Sequence, residues 1–288
     1  MSGEQWVQCR CGQRHWGAYG AAGLLLLDQI PATRAVVQHR AEWTHFGGYW
    51  GVPGGARHRG EDAVHGALRE AHEEAGIDPG QVAPVAACVL QHPDWSYTTV
   101  VARAHGQVQP QITDAESQDV QWVTLDGLQA LPLLPALAEA WPQLQRIGGT
   151  RATLIVDAAN VMGSRPDGWW RDRAGAAHRL LAQLDGLAHQ GVPADLLGLP
   201  GNWWWPRIVV VTEGAAREVP AADPEVVDVV PAPRDGDSQI VAEAASRGQQ
   251  PGASVSVVTA DRELIARVAS RGASHVAPRA LLHLLQPR

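Results

Sequence analysis

Residues 55–77 read GARHRGEDAVHGALREAHEEAGI, and the spacing inside this stretch decides how the first half of the chain folds. Ala63, Ala67, Leu68, Ala71 and Ala75 recur at three- and four-residue intervals, which predicts a helix from Glu61 to Ala75 with one apolar stripe. On that helix Glu70, Glu73 and Glu74 stand at i, i+3 and i+4, so their carboxylates converge on one face. Left alone the cluster is repulsive, and a bound cation is its natural balance. Oxygen-only ligands point to Mg²⁺ or Mn²⁺, hard ions that bridge phosphate oxygens. The glycines before the helix, Gly54 and Gly55, let the backbone turn sharply and offer a carbonyl near such an ion. The competing reading is a solvated acidic face paired with Arg69. The flanking glycines weigh against it.

Gly55, Glu61, Arg69, Glu70, Glu73, Glu74, Gly76 and Ile77 form one pattern: glycine, five residues, glutamate, seven residues, then R-E-x-x-E-E-x-G and an apolar residue. This stretch resembles the Nudix box, with Ala71 where a larger aliphatic is usual, and WGVPGG (50–55) is similar to the family's lead-in. The resemblance implies an α+β Nudix fold, a mixed sheet with flanking helices. It also implies an Mg²⁺- or Mn²⁺-dependent pyrophosphohydrolase acting on a nucleoside triphosphate, or on a nucleoside diphosphate linked to another group. Under it Glu73 and Glu74 hold the metal, and Glu70 is a further ligand or the base that activates water. Arg69 orients Glu70, Glu61 braces the helix or holds a further ion, and Gly55 lends its carbonyl. One more carboxylate outside the box is expected, with Glu116 the candidate and Asp119 its rival. Substrate contacts are expected from Arg40 to a phosphate and from Trp43, Trp50, Trp95 or Tyr97 to a nucleobase, although any one Trp is more readily a half-buried packing residue.

Around the box, GLLLLDQ, RAVVQHR, APVAACVLQ, YTTVVARAHG and DVQWVTL read as strands. A Pro-punctuated helix, LPLLPALAEAWPQL, precedes Gly148-Gly149, and a new buried strand, ATLIV, follows. The expected domains are therefore 1–147 and 148–288. The second half alternates strand ATLIV, helix 171–190, strands RIVVV and EVVDVV, helix 237–247, strand SVSVVT, helix 261–271 and a closing segment 278–286. That order predicts a parallel sheet covered by helices.

In a parallel sheet the carboxyl ends of the strands share one edge. Asp157 ends ATLIV with Asn160 just beyond, Asp261 follows SVSVVT, and Asp235 and Asp237 open a helix between them. Several carboxylates can thus meet in one crevice, a set suited to divalent metal and phosphodiester hydrolysis. An Asp at a strand end is also a common helix cap, and Asp235 reads most simply as a turn residue. The pieces LIVDAANVMGSRPDGWWRDR, DGDSQIVAEA and VVTADREL resemble the NYN branch of PIN-like nucleases over residues 151–288. That likeness implies an α/β three-layer domain with a parallel sheet, metal ligands or catalytic groups at Asp157, Asp237, Asp261 and Asn160, and single-stranded RNA as the partner. Arg165, Arg171, Arg173 and Arg179 with Trp169 and Trp170 are a basic-aromatic stretch suited to such a strand.

All 23 basic residues are Arg, against 30 acids, for a net charge of −7. That balance argues against a dedicated nucleic-acid coat. The longest run of leucines, Leu24–Leu27, is far short of a membrane span, the first residues lack an apolar leader segment, and three Cys make no disulfide framework. A cytoplasmic protein without a membrane partner is expected, and the resemblance of the first half admits a homodimer. Cys9, Cys11 and His15 offer three zinc-type ligands in CRCGQRH, but no second Cys pair follows, so a small turn carrying buried thiols is the expected reading. Two other functions stay open: an RNA-processing nuclease whose first half trims RNA 5′ ends, and a non-catalytic nucleotide sensor. An intact set of glutamates weighs against the sensor.

Overall fold

A computed structural model describes residues 3–165, 168–219 and 226–286. The chain forms two compact units, Met1–Gly149 with Pro200–Asn202, and Thr150–Leu199 with Trp203–Arg288.

In the first unit a short hairpin, β1 (Trp6–Gln8) and β2 (Arg14–Trp16), makes a separate two-stranded sheet. The main sheet holds β3 (Ala21–Leu27), β4 (Arg34–Arg40), β5 (Trp50–Gly51), β6 (Gly54–Ala56), β7 (Val82–Gln91), β8 (Ser96–Ala104) and β9 (Ser117–Thr124). Helices α1 (Ala63–Ala75), α2 (Leu125–Gln129) and α3 (Pro135–Gly148) complete the unit. The sheet is mixed: β3 runs parallel to β8, and β7–β8, β3–β6, β4–β5 and β4–β9 are antiparallel. Strand β3 is buried along its whole length because both of its faces are covered. Leu24 and Leu26 meet the Ala67, Ala71 and Ala75 stripe of α1, and each contributes about 2–3 kcal/mol of apolar burial. Leu27 points to the opposite face, where Gly148 at the end of α3 passes so close that a Cβ there would lie 3.2 Å from it. The alanines of α1 explain its approach to the sheet, since larger residues would hold the helix away.

The helix begins two residues later than its periodicity predicts. Asp62 is its N-cap and accepts the His65 N–H at 2.9 Å, which leaves Glu61 in the preceding turn. Gly76 ends it in the left-handed conformation (φ 64°), a geometry that explains a glycine at this position.

The second unit is built on β10 (Arg151–Asp157), α4 (Ala158–Gly163), α5 (Arg173–Gln190), β11 (Val192–Pro193), α6 (Ala194–Leu197), β12 (Trp203–Trp204), β13 (Arg207–Thr212) and β14 (Val227–Pro231). It continues with α7 (Gly236–Gly248), β15 (Ala253–Val258), α8 (Arg262–Ala269), β16 (Ser274–Val276) and α9 (Pro278–Leu284). Five strands pair in the order β14-β13-β10-β15-β16, and every pairing is parallel. Ile155, Val209, Val211, Val255 and Val257 bury one face under Ile240, Ala244, Leu264 and Val268 of α7 and α8. Helix α5 packs on β13 and β14. The chain leaves β10 for β13 and β14 on one side, then returns to β15 and β16 on the other. A parallel sheet that reverses in this way opens a crevice at the carboxyl ends of its middle strands.

Candidate active site

In the first unit Arg69 is the hub on which the glutamates of α1 are ordered. Its Nε and Nη2 donate to the two oxygens of Glu61 at 3.0 and 3.1 Å. Its Nη1 donates to Glu70 Oε1 at 2.8 Å and to Glu73 Oε2 at 3.1 Å, and Nη2 also reaches the Ala56 carbonyl at 3.0 Å. Glu61 further accepts the His58 N–H at 2.8 Å. Arg69 holds the Glu61 carboxyl below its ordinary range, and the guanidinium itself is pushed up by these acids.

Glu70 and Glu74 stand apart from Glu61 because they are taken out of water. Burial raises the Glu70 carboxyl, and Arg69 only partly offsets it. Glu74 is the most buried acid of the helix at 7% exposure, and burial pushes it up to about 8, with Glu70 and Asp114 adding repulsion. It accepts the Gly54 N–H at 2.8 Å. Glu73 is half exposed at its side chain, and its carbonyl takes the Thr113 hydroxyl. Gly55 lies beneath Glu70: a Cβ there would sit 2.7 Å from the Glu70 carboxyl carbon. The box therefore assembles carboxylates at differing depths against a single guanidinium. A hard divalent cation fits this donor set, because buried like charges gain most from a compact ion with oxygen preference.

The residues predicted outside the box are placed differently. Arg40 acts on the same cluster: its charge offsets a small part of the rise of Glu74, and it lies 3.8 Å from Glu116 and donates through Nε to the His45 carbonyl at 3.1 Å. Glu116 is exposed and turned to Arg40, while Asp119 accepts from Gln121 at 2.9 Å. Asp114, which no sequence signal marked, acts on Glu74 and is held by the Ser117 hydroxyl at 2.9 Å. Trp50 is packed inside the unit. It is buried, stacked on His39 with ring centres 4.7 Å apart, and bonded through its backbone to Pro132 and Leu134. Trp95 is stacked on His15 at 4.4 Å and donates its Nε1–H to the Trp16 carbonyl at 3.0 Å, so it packs the hairpin. Trp43, by contrast, is 70% exposed. Tyr97 is half-buried, its phenol raised by burial and by Glu74, and its oxygen fills the space a Gly23 side chain would take.

The second unit carries a separate acidic cleft of about 460 Å³, lined by Asp157, Asn160, Glu213, Gly236, Asp237 and Asp261 among others. Asp157 is 8% exposed; its oxygens accept the Asn160 N–H and the Thr259 hydroxyl, both at 3.0 Å. Asn160 is fixed in turn by the Ala260 N–H at 2.9 Å. Asp261 caps α8, accepting the N–H groups of Glu263 and Leu264 at 2.8 and 2.9 Å. Asp235 caps α7 through the Ser238 N–H at 2.7 Å. Glu213, at the carboxyl end of β13, accepts the Gly236 N–H at 3.0 Å and completes a set of four carboxylates. Burial raises Asp157, with Asp237 and Glu213 adding to it, and burial with Asp261 raises Asp237. Among the described residues Arg267 brings a counter-charge, 3.8 Å from Asp237.

Among the described residues, no helix is long and apolar enough to cross a membrane. A family model described as the NUDIX domain matches residues 20–144. Over 147 residues the chain is 43% identical to the "Nucleoside triphosphate pyrophosphatase/Nudix hydrolase fusion protein" of Bifidobacterium longum, a match covering 49% of this chain and 30% of that protein. Over 156 residues it is 41% identical to the "Putative 8-oxo-dGTP diphosphatase 3" of Mycobacterium tuberculosis, covering 51% of this chain and 71% of that protein. It is also similar to the crystal structure of a Nudix hydrolase from M. smegmatis, RenU, with 37% identity, a TM-score of 0.46, and coverage of 50% of this chain and 94% of that one.

Proposed function

The chain belongs to the Nudix family through residues 20–144, and from that premise we propose that its first unit is a divalent-metal-dependent pyrophosphohydrolase of nucleotides. The substrate class is a nucleoside triphosphate, or a nucleoside diphosphate joined to a second group. The observation that carries this reading is the Arg69 hub, which holds Glu61, Glu70 and Glu73 while Glu74 remains buried beside them.

Glu73 and Glu74 would hold Mg²⁺ or Mn²⁺, with the Gly55 carbonyl and Glu61 in support. Such an ion neutralises phosphate oxygens and polarises phosphorus toward attack by water. Glu70 takes the proton of the attacking water, a role suited to a carboxyl that burial has raised. Arg69 fixes the orientation of Glu70 through the 2.8 Å bond and keeps its second oxygen free for that proton. Arg40, whose charge acts on Glu74, would meet a substrate phosphate. The test is nucleotide and phosphate release, with Mg²⁺, from nucleoside triphosphates, oxidised dGTP, ADP-ribose, NAD, dinucleoside polyphosphates and 5′-triphosphate RNA. Glu73→Gln should lose nearly all turnover. Binding without turnover by the unaltered protein would make it a sensor.

We propose further that the second unit is an NYN/PIN-like domain, separable near residue 148, that cleaves single-stranded RNA with Mn²⁺ or Mg²⁺. The supporting observation is the cleft where Asp157, Glu213, Asp237 and Asp261 meet with Asn160. A hard cation fits four carboxylates that the described side chains leave largely unneutralised. A single-stranded RNA incubated with the protein and with Asp157→Asn tests this; equal cleavage by both would point to a contaminating nuclease.

A further inference from the structure

The hairpin of β1 and β2 carries a group of side chains that neither carboxylate site uses. Cys9, Cys11 and His15 each bring one ligand atom to a common point, all within 4.8 Å of one another. The Cys11 sulfur already lies 3.2 Å from His15 Nε2. Tetrahedral zinc holds sulfur and nitrogen at about 2.3 and 2.0 Å, which places two sulfurs roughly 3.8 Å apart and a sulfur and nitrogen about 3.6 Å apart. The three atoms therefore need movements of about 1 Å at most to take up that geometry.

The backbone has the shape such a site requires. Gly12 N–H donates to the Cys9 carbonyl and Cys9 N–H to the Gln13 carbonyl, both at 3.0 Å, closing a tight turn over the sulfurs. Gly12 makes it in the left-handed region, at φ 89°. Cys9 is buried and Cys11 exposed, so these are not the pair of buried thiols that sequence suggested. One ligand stands inside the hairpin and one at its surface, an entry path for an ion. His92, from the turn between β7 and β8, lies with its ring centre 4.3 Å from that of His15.

The hairpin also has need of a clamp. A two-stranded sheet is marginal alone in water, and this one has three residue pairs. Arg10 binds Asp94 through Nε at 2.8 Å, and Trp95 donates to the Trp16 carbonyl, so the segment around residues 92–95 is already its anchor. An ion held by the hairpin with a fourth ligand from the same segment would complete that attachment.

We propose that Cys9, Cys11 and His15 form a zinc site that pins the β1–β2 hairpin to the β7–β8 turn, with His92 or water in the fourth position. Binding releases the two thiol protons and takes the imidazoles neutral. The soft sulfur ligands separate this site from the oxygen-only glutamates of α1.

The experiment uses the full-length chain, purified with Zn²⁺ present and passed over a chelating resin. Metal is measured by atomic emission and by release to a chromogenic chelator on thiol modification. About one zinc per chain should remain, and Cys11→Ser and His15→Ala should each remove it. Glu73→Gln should retain it, which separates the site from the box. Because Cys9 is buried and its replacement can disturb the fold, the unaltered chain is also loaded with Co²⁺. A thiolate-to-cobalt charge-transfer band with strong visible bands of tetrahedral cobalt is expected. No retained zinc and no such band, or zinc that survives both Cys11→Ser and His15→Ala, would overturn the proposal. Loss of zinc in His92→Ala assigns the fourth ligand to His92, and retention assigns it to water.

Discussion

At the scale of single residues, Arg69 shows why a charge of the same sign is not a replacement. Its planar fork serves Glu61 with two nitrogens, Glu70 and Glu73 with a third, and the Ala56 carbonyl as well. A lysine has one nitrogen and cannot span these acceptors. Arg69→Lys is therefore expected to lower kcat by about 10²-fold with a smaller change in KM, read from initial rates, because Glu70 loses its orientation. Gly55→Ala tests the same carboxylate from the other side. The added methyl would meet Glu70 at 2.7 Å, and kcat should fall about tenfold or more while the melting temperature changes little. Glu74 supplies a prediction in pH. Burial raises its carboxyl to about 8, so below that pH the acid keeps its proton and a cation must displace it. Apparent Mg²⁺ affinity should climb by about tenfold per pH unit toward pH 8 and level above it, with about one proton released per ion. Calorimetry in two buffers of different ionisation heat reads that proton; affinity flat across this range would show that Glu74 is not a ligand. In the absence of an ion the sign is opposite: the raised Glu74 contributes stability that is present below its unfolded value and lost as pH rises toward 8.

At the scale of elements, the turn between β3 and β4 shows how one acid can set a strand register. Asp28 accepts the N–H groups of Gln29, Thr33 and Arg34 at 2.9, 3.0 and 3.1 Å, and the Thr33 hydroxyl as well. Burial alone would raise this carboxyl, but those hydrogen bonds outweigh it and hold it below its ordinary range. Its contribution is thus present above the unfolded value of about 3.9 and lost as pH falls through the folded one. Asp28→Asn should cost about 1–2 kcal/mol in denaturant unfolding near pH 7, and the difference should shrink below the ordinary carboxylate range. A difference that persists undiminished in acid would place the effect in the shape of the turn and not in its charge. The elements themselves were legible where periodicity was strong, as in the alanine stripe of α1 and the apolar runs of β3, β10 and β13. The start of α1 was not, since a cap such as Asp62 is chosen by local hydrogen bonding that apolar spacing does not report. The packing of Trp50 on His39 and of Trp95 on His15 was hidden for a similar reason. An aromatic side chain that stacks a base and one that stacks His39 or His15 look the same in sequence. Asp114 carried no local pattern at all. Glu213 was findable, because it follows RIVVVT as Asp157 follows ATLIV, and the rule that strand carboxyl ends share an edge applies to both.

At the scale of the molecule, the chain divides its acids between two sites of different construction. In the first unit one helix presents three glutamates, and a neighbouring Arg neutralises part of their charge. In the second, four carboxylates come from the ends of separate strands and helices and gather only because the sheet is parallel. The two sets share no residue, and each is built within its own unit. If both bind hard cations as proposed, their activities should be separable in the intact chain. Glu73→Gln should abolish Mg²⁺-dependent nucleotide hydrolysis and leave RNA cleavage unchanged. Asp157→Asn should do the reverse, and the double variant should lose both while keeping the unfolding transition of each unit. Parallel assays of nucleotide release and RNA cleavage on the same four preparations check this. If either single change depressed both activities to the same degree, one site would be serving both reactions, and the second unit would have to act as a platform for RNA that the first unit hydrolyses. The arrangement of side chains favours separation, because Asp157 has its own hydroxyl and backbone donors from Thr259 and Asn160 and does not depend on the glutamates of α1 for its position.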